Sequence, residues 1–243
     1  MEIIKNLKSH NSADISVDLV LFDEDKYIMK QAVGENGLEG LKREYYNQLF
    51  LYEYSKIHDL GFLFYEPKLH EDKLLLPYLE NVHWCAENEE VILCSFNQYK
   101  DPFIKFVKAC HNIKYDELPS SIKADSDKRI EAAQEKFKID LDFLKEKKLV
   151  TDAEALSLES NFLEGSSKLA FQHHDIVPWH IAKSGQAFYL VDAGWATWSL
   201  WGYDIAYYIL QMVGYASRTE DAKLFYGTIK EEYNNLDNFD SLL

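Results

Sequence analysis

The run 171–181 reads Phe171-Gln172-His173-His174-Asp175-Ile176-Val177-Pro178-Trp179-His180-Ile181, and seventeen positions beyond Asp175 a second carboxylate, Asp192, stands in Tyr189-Leu190-Val191-Asp192-Ala193-Gly194. Two carboxylates at the edge of one cleft suit phosphoryl transfer. One can hold magnesium against phosphate oxygens, because that ion prefers hard oxygen ligands. The other can take the proton of an attacking hydroxyl.

Such groups must be positioned by regular elements, and the pattern supplies them. Residues 15–22 and 26–33 are β-rich runs separated by Asp23, Glu24 and Asp25, which predicts an antiparallel hairpin with Lys30 inside its second strand. A polar loop with Gly34, Gly37 and Gly40 then leads into a helix over 41–57, with Glu44 in its first turns. Strands follow over 62–69 and 73–79, joined by the turn 70–72. Beyond residue 80 the pattern turns mainly helical. Helices are expected over 101–111 and 127–147, the second with Ile130, Ala133, Phe137, Leu141 and Leu144 on one face. Thr151 and Glu154 form a capping box that starts a third helix, running to about residue 163. Short strands at 169–172 and 187–191 flank the Asp175 motif. A buried helix is expected over 201–213, with amphipathic helix beyond 218.

Bulk properties narrow the function classes. The 243 residues carry a formal charge of −15, which disfavours a nucleic-acid groove lined by clustered Lys and Arg. Lys145, Lys147 and Lys148 form one small basic cluster that a solvated helix end explains equally well. Cys85, Cys94 and Cys110 fit no paired zinc spacing and read as buried thiols of a reducing compartment. No secretory signal is apparent at the N-terminus. The most apolar stretch, 199–216, contains Asp204 and Gln211 and reads as a buried helix, not a membrane span. A cytoplasmic protein is expected.

Taken together, these pieces resemble the protein-kinase-like fold, and most closely its aminoglycoside and choline phosphotransferase branch. The catalytic loop of that branch looks like His-Gly-Asp-x-x-Pro-x-Asn, often with Trp before the Asn, and is matched here at His173, Asp175, Pro178 and Trp179. The resemblance implies an α+β, bilobal architecture: residues 1–80 as a nucleotide-binding lobe of small antiparallel sheet and one helix, and 81–243 as a mainly helical lobe with the acceptor site. It implies an ATP-dependent phosphotransferase acting on a hydroxyl of a small-molecule or sugar-containing acceptor. Asp175 would be the catalytic base and Asp192 the magnesium ligand. Lys30 would lie on the α- and β-phosphates, held by Glu44, and Pro77, Tyr78 and Leu79 would form the hinge that meets adenine. Asp204 would brace the catalytic loop from below.

The chain departs from that pattern in two places. The family's second metal ligand is Asn, and here it is His180, a poor partner for magnesium that suits zinc or other transition metals better. The nucleotide-covering turn, near residues 10–14, has no glycine to ease close approach of backbone to phosphate. Both departures also suit a different class of protein, a pseudokinase that binds nucleotide or acts as a scaffold. Other residues carry plainer readings. Lys30 and Glu44 could be an ordinary surface ion pair, His173 a packed core residue and His174 a loop side chain. His173, His174, Asp175 and His180 could form a transition-metal site, although adjacent histidines in a strand point to opposite faces. Trp195, Trp198 and Trp201 could line a sugar pocket or fill the core.

Overall fold

A computed structural model describes residues 1–7, 14–87, 91–165, 168–214 and 216–233. The N-terminal part is one antiparallel sheet with a helix against it. Its strands are β1 (Glu2–Leu7), β2 (Ile15–Phe22), β3 (Asp25–Ala32), β4 (Lys68–His70) and β5 (Lys73–Pro77), in the order β1-β2-β3-β5-β4. The hairpin between β2 and β3 turns on Asp23 and Glu24, both left-handed at φ 50° and 71°. Two central residues at positive φ give the turn whose twist matches that of the flanking strands.

Strand periodicity decides where Lys30 points. Tyr27 and Met29 face one side of β3 and pack with Val20 and Leu75. Ile28 and Lys30 face the other side, where Leu41, Leu74 and Leu76 pack beneath the helix α1 (Glu35–Ser55). The helix begins six residues before the expected position, so Gly37 and Gly40, expected in a loop, lie in its first turns, and Gly34 is its N-cap. Glycines read as punctuation in a sequence, but Gly37 serves close packing: a Cβ there would overlap the Asp14 carbonyl. The expected strand over 62–69 is also corrected, since only Lys68–His70 is strand. Phe62 and Phe64 are buried in the main core, packed on Phe106, while Leu63 makes one parallel bridge with Tyr189.

The remainder is largely helical. It contains β6 (His83–Trp84), α2 (Phe96–Asn112), α3 (Ser120–Glu146), α4 (Asp152–Gly165), β7 (Leu169–Gln172), β8 (Ile181–Ser184), β9 (Ala187–Leu190), β10 (Thr197–Leu200), α5 (Tyr203–Gly214) and α6 (Thr219–Glu232). Helix α3 starts seven residues earlier than expected, with the expected face as its least exposed side and Phe137 stacked on Phe162 at 3.9 Å. The Thr151 cap of α4 is present: the Glu154 N–H donates to Thr151 Oγ1 at 3.2 Å, and the Thr151 N–H donates to Glu154 Oε2 at 2.7 Å. Phe96, Phe103, Tyr208 and Phe225 pack edge to face at the centre of the core, where Tyr99 and Tyr208 share a 2.6 Å hydrogen bond. Among the described residues no helix is long and apolar enough to cross a membrane. The architecture is α+β and bilobal, an antiparallel sheet with one helix followed by a mainly helical part.

Candidate active site

The segment 173–180 leaves β7 and returns through β8, and its backbone is fixed from below. Asp204, at the start of α5 and buried, accepts the N–H groups of His173 and His174, each at 2.7 Å, through separate carboxylate oxygens. Gln172 Oε1 in turn accepts the Asp204 N–H at 3.0 Å. Burial pushes the Asp204 carboxyl up to about 7, against the pull of those two donors. The brace expected from the sequence is therefore met in geometry. His174 takes a left-handed φ of 67° and stacks on Tyr203 at 3.9 Å.

His173 is wholly buried against Phe106, and neither ring nitrogen has a hydrogen-bond partner. Burial lowers its pKa to about 3. It is a neutral residue packed in the core, and among the described residues no group of three or more His, Cys, Asp or Glu side chains is placed to hold a metal ion.

Lys30 reaches from β3 to two carboxylates. Its ammonium lies 2.7 Å from Glu44 Oε1 and 3.5 Å from Asp192 Oδ1. Burial opposes the charge on Lys30, but Asp192 and Glu44 outweigh it and raise the pKa, so the ammonium stays charged. Lys30 is the principal influence holding Asp192 down at about 2, against burial. The Lys30–Glu44 pair is thus shielded beneath the sheet, unlike the ordinary surface pair that the bare sequence also allowed. Asp192 has a left-handed φ of 64°, which Asp tolerates better than most residues.

Helix α1 ties that turn down through two residues not singled out in the sequence. The buried Asn47 donates to the carbonyls of Ala193 and Ala196 at 2.9 and 2.8 Å, and Arg43 Nε donates to the Gly194 carbonyl at 2.9 Å. Asn47 looks like any polar residue on a helix, and only the tertiary contact distinguishes it. Helix α1 thereby carries Glu44 and the support of Asp192 on one rigid body.

His180 bridges the two aspartates. Its Nδ1 lies 2.9 Å from the Asp175 backbone carbonyl and 3.5 Å from Asp175 Oδ2, while Nε2 lies 3.8 Å from Asp192 Oδ2. On its other side the Asp175 carboxylate accepts the Tyr207 hydroxyl at 3.2 Å, a contact from α5 that one more tyrosine in an apolar segment did not announce.

A cavity of about 240 Å³ reaches from these groups to the segment expected as the hinge. Of the residues expected at the site, Lys30, Pro77, Tyr78, Leu79, His180 and Asp192 line it. Glu44 stands behind Lys30, and Asp175 lies one residue removed, beyond His180. Ile28, Tyr65, Leu76, Trp84, Trp179 and Val191 complete the walls. The Tyr78 N–H is already used, donating to the Lys26 carbonyl at 3.0 Å. The glycine-free turn falls largely on residues 8–13, outside the described residues. Of the three tryptophans, Trp195 is 52% exposed, with the Arg43 and Arg129 guanidiniums 4.8 and 5.1 Å from its ring centre. Trp198 and Trp201 pack against the core.

With regard to a divalent cation, Asp192 offers the hard oxygens that magnesium prefers. His180 does not.

No family model and no curated protein sequence matches the chain. Solved structures do. The aminoglycoside phosphotransferase APH(2'')-Ib bound to ADP aligns over 98% of this chain and 79% of its own, with TM-score 0.59 at 15% identity. Macrolide 2'-phosphotransferase type I aligns over 92% and 76%, with TM-score 0.58 at 14% identity. The ethanolamine kinase of Plasmodium vivax aligns over 97% and 69%, with TM-score 0.55 at 16% identity. The chain therefore has the protein-kinase-like fold shared by aminoglycoside phosphotransferases and ethanolamine kinase, and it is structurally similar to small-molecule kinases across nearly its whole length.

Proposed function

We propose that this chain is an ATP-dependent phosphotransferase that moves the γ-phosphoryl group to a hydroxyl of a small-molecule or sugar-containing acceptor. The observation that carries the reading is the Lys30 ammonium held between Glu44 and Asp192 at 2.7 and 3.5 Å, on the wall of a cavity that Pro77, Tyr78 and Leu79 also line. The division into a nucleotide lobe at 1–80 and an acceptor lobe at 81–243 belongs to the same reading, as does a cytoplasmic setting.

The adenine would enter between Ile28, Leu76 and Trp84. Because Pro77 has no N–H and that of Tyr78 is engaged, the Leu79 N–H and the hinge carbonyls are left to meet the base. Lys30 would neutralise phosphate oxygens. Asp192 would hold the divalent cation, which when bound offsets the negative charge on the phosphates. Asp175, fixed by Tyr207 and His180, would accept the proton as the acceptor oxygen bonds to phosphorus and the bond to the bridging oxygen breaks, ADP leaving with the electron pair.

The test is ATP-induced thermal stabilisation with and without a divalent cation, followed by ADP release against a library of acceptors. Asp175→Asn should lower turnover by roughly 10²–10⁴ while nucleotide binding persists. Turnover by that variant as fast as by the parent would sink the assignment. One observation favours a second reading, a pseudokinase: His180 takes up the space between Asp175 and Asp192. That reading requires nucleotide binding without turnover for any acceptor.

A further inference from the structure

Building on the phosphotransferase reading, we propose that the acceptor carries an anionic group, a phosphate or a carboxylate, which Arg129 and Arg43 receive beside the Trp195 ring while a hydroxyl of the same molecule meets Asp175. Trp195 stands three residues past Asp192 and is 52% exposed. The Arg43 guanidinium of α1 lies 4.8 Å from its ring centre, and the Arg129 guanidinium of α3 lies 5.1 Å from it. Backbone carbonyls of the same turn fix both groups: Arg43 Nε donates to Gly194 at 2.9 Å and Arg129 Nη1 donates to Trp195 at 3.1 Å. Two helices distant in sequence thus bring two permanent positive charges to one exposed ring, in a chain whose formal charge is −15. Like charges held this close repel, and an oxyanion set beside them relieves that repulsion. A guanidinium carries five N–H donors in a fork that matches phosphate and carboxylate oxygens, so a bond to a backbone carbonyl leaves the group able to pair with an oxyanion.

The cluster adjoins the proposed base through an aromatic stack. The Tyr207 hydroxyl donates to Asp175 at 3.2 Å, the Tyr207 ring stacks on Tyr203 at 5.8 Å, and Tyr203 lies on His174 at 3.9 Å. The Arg129 charge reaches the far end of that stack: after burial, it is the next influence that lowers the His174 pKa. Tyr203 senses both ends. Beyond the effect of burial, Asp204 and Asp175 raise the pKa of its hydroxyl and Arg129 lowers it. Arg129 and Asp175 therefore flank one aromatic wall, which gives a single acceptor an anion-binding end and a reacting end. The half-buried Tyr203 and Tyr207 rings between them offer an apolar face to its carbon skeleton. An ammonium group placed at the Trp195 end would be repelled by both guanidiniums, so the same charges that take an anionic acceptor also reject a cationic one.

The experiment uses the full chain loaded with a non-hydrolysable ATP analogue and Mg²⁺, so that the nucleotide phosphate site is occupied, and follows the tryptophan indole N–H signals by ¹H–¹⁵N NMR. The Trp195 signal is the one missing from Trp195→Phe. The probes share one pyranose skeleton: glucose 6-phosphate, glucuronate, glucose and glucosamine, which carry a phosphate, a carboxylate, no charge and an ammonium. Expected is a saturable shift of the Trp195 signal with at least one anionic probe and none with glucose or glucosamine at the same concentration. The anion that binds identifies phosphate or carboxylate as the group taken. Arg129→Gln should weaken that binding about 10- to 150-fold, the worth of one hydrogen bond to a charged group, whereas Arg129→Lys, which keeps the charge, should weaken it less. A shift with glucosamine equal to that with the anions, no shift with either anion, or anion binding unchanged in Arg129→Gln overturns the proposal and leaves the phosphotransferase reading standing. Failure of the parent to bind the nucleotide analogue under any cation condition overturns both. If an arginine variant does not fold, the parent's ranking of the four probes decides the point.

Discussion

Replacing Asn47 by Leu tests whether helix α1 and the Asp192 turn form one body. The two side chains have nearly the same shape, so the change removes hydrogen bonding while keeping volume. Asn47 is 1% exposed and donates to two carbonyls at 2.9 and 2.8 Å. Leaving a buried acceptor without its partner costs about 1–3 kcal/mol. The Ala196 carbonyl loses its Asn47 donor at about 1–3 kcal/mol, whereas the Ala193 carbonyl keeps the Ala196 N–H at 3.0 Å and loses only about 0.5–1.5 kcal/mol. The better burial of Leu returns about 1–2 kcal/mol, which leaves a net loss centred near roughly 1.5 kcal/mol. With a urea m-value of about 2–3 kcal/mol/M, the unfolding midpoint should fall by about 0.6 M at unchanged slope. Because Ala193 directly follows Asp192, the same variant should also lose most of the thermal stabilisation conferred by ATP with a divalent cation. A midpoint within 0.3 M of the parent (about 1 kcal/mol), or full stabilisation by nucleotide in a protein that has lost stability, would refute the coupling.

The titration of buried groups gives a second prediction. His111, His173 and His174 are shifted by burial from 6.5 to about 3, and Asp204 from 3.8 to about 7. A histidine lowered on folding contributes stability that is present above its unfolded value and lost as pH falls toward the folded one. The raised Asp204 works in reverse, its contribution present below 3.8 and lost as pH rises through 7. Between pH 4 and 6 unfolding therefore takes up three protons on histidine and releases one from Asp204 and part of another from Glu44, whose carboxyl burial also raises, so with a net of between one and two protons stability should fall by about 1–3 kcal/mol for each unit of acidification. Urea titrations at pH 6.0 and 5.0 check this, and a flat profile would contradict it. Tyr207→Phe removes the hydroxyl that donates to Asp175 at 3.2 Å. It should lower kcat about 10- to 150-fold with little change in KM for ATP, since one hydrogen bond to a charged group contributes about 1.5–3 kcal/mol; steady-state kinetics with the acceptor found by screening will show it, and a change confined to KM would not fit.

The residues that carry the proposed chemistry were legible because the chemistry admits few residue types. Periodicity placed Lys30 in a strand and Glu44 in a helix, the resemblance to the phosphotransferase branch marked them together with Asp175 and Asp192, and the structure brings Lys30, Glu44 and Asp192 into contact. Elements without a burial period were lost. Strand β1 is exposed at nearly every position and so has no alternation to detect. Phe62 and Phe64 looked like strand residues because they lie in an apolar run, yet they are buried in the core against Phe106 of α2 and not in a ladder. Asn47 and Tyr207 were hidden for another reason. Each acts on a partner more than thirty positions away, a pairing created only by the tertiary fold.

His174 shows where backbone and side chain are opposed. A left-handed conformation disfavours a residue with a Cβ by about 1–2 kcal/mol, and the ring regains part of that by lying flat on Tyr203 at 3.9 Å. Tyr203 is also stacked on Tyr207, at 5.8 Å. Exchange of His174 for glycine would relax the chain at that point and at the same time remove one end of an aromatic column that runs to the hydroxyl touching Asp175. Selection for thermal tolerance and selection for precise alignment of that carboxylate would thus pull this single position in opposite directions.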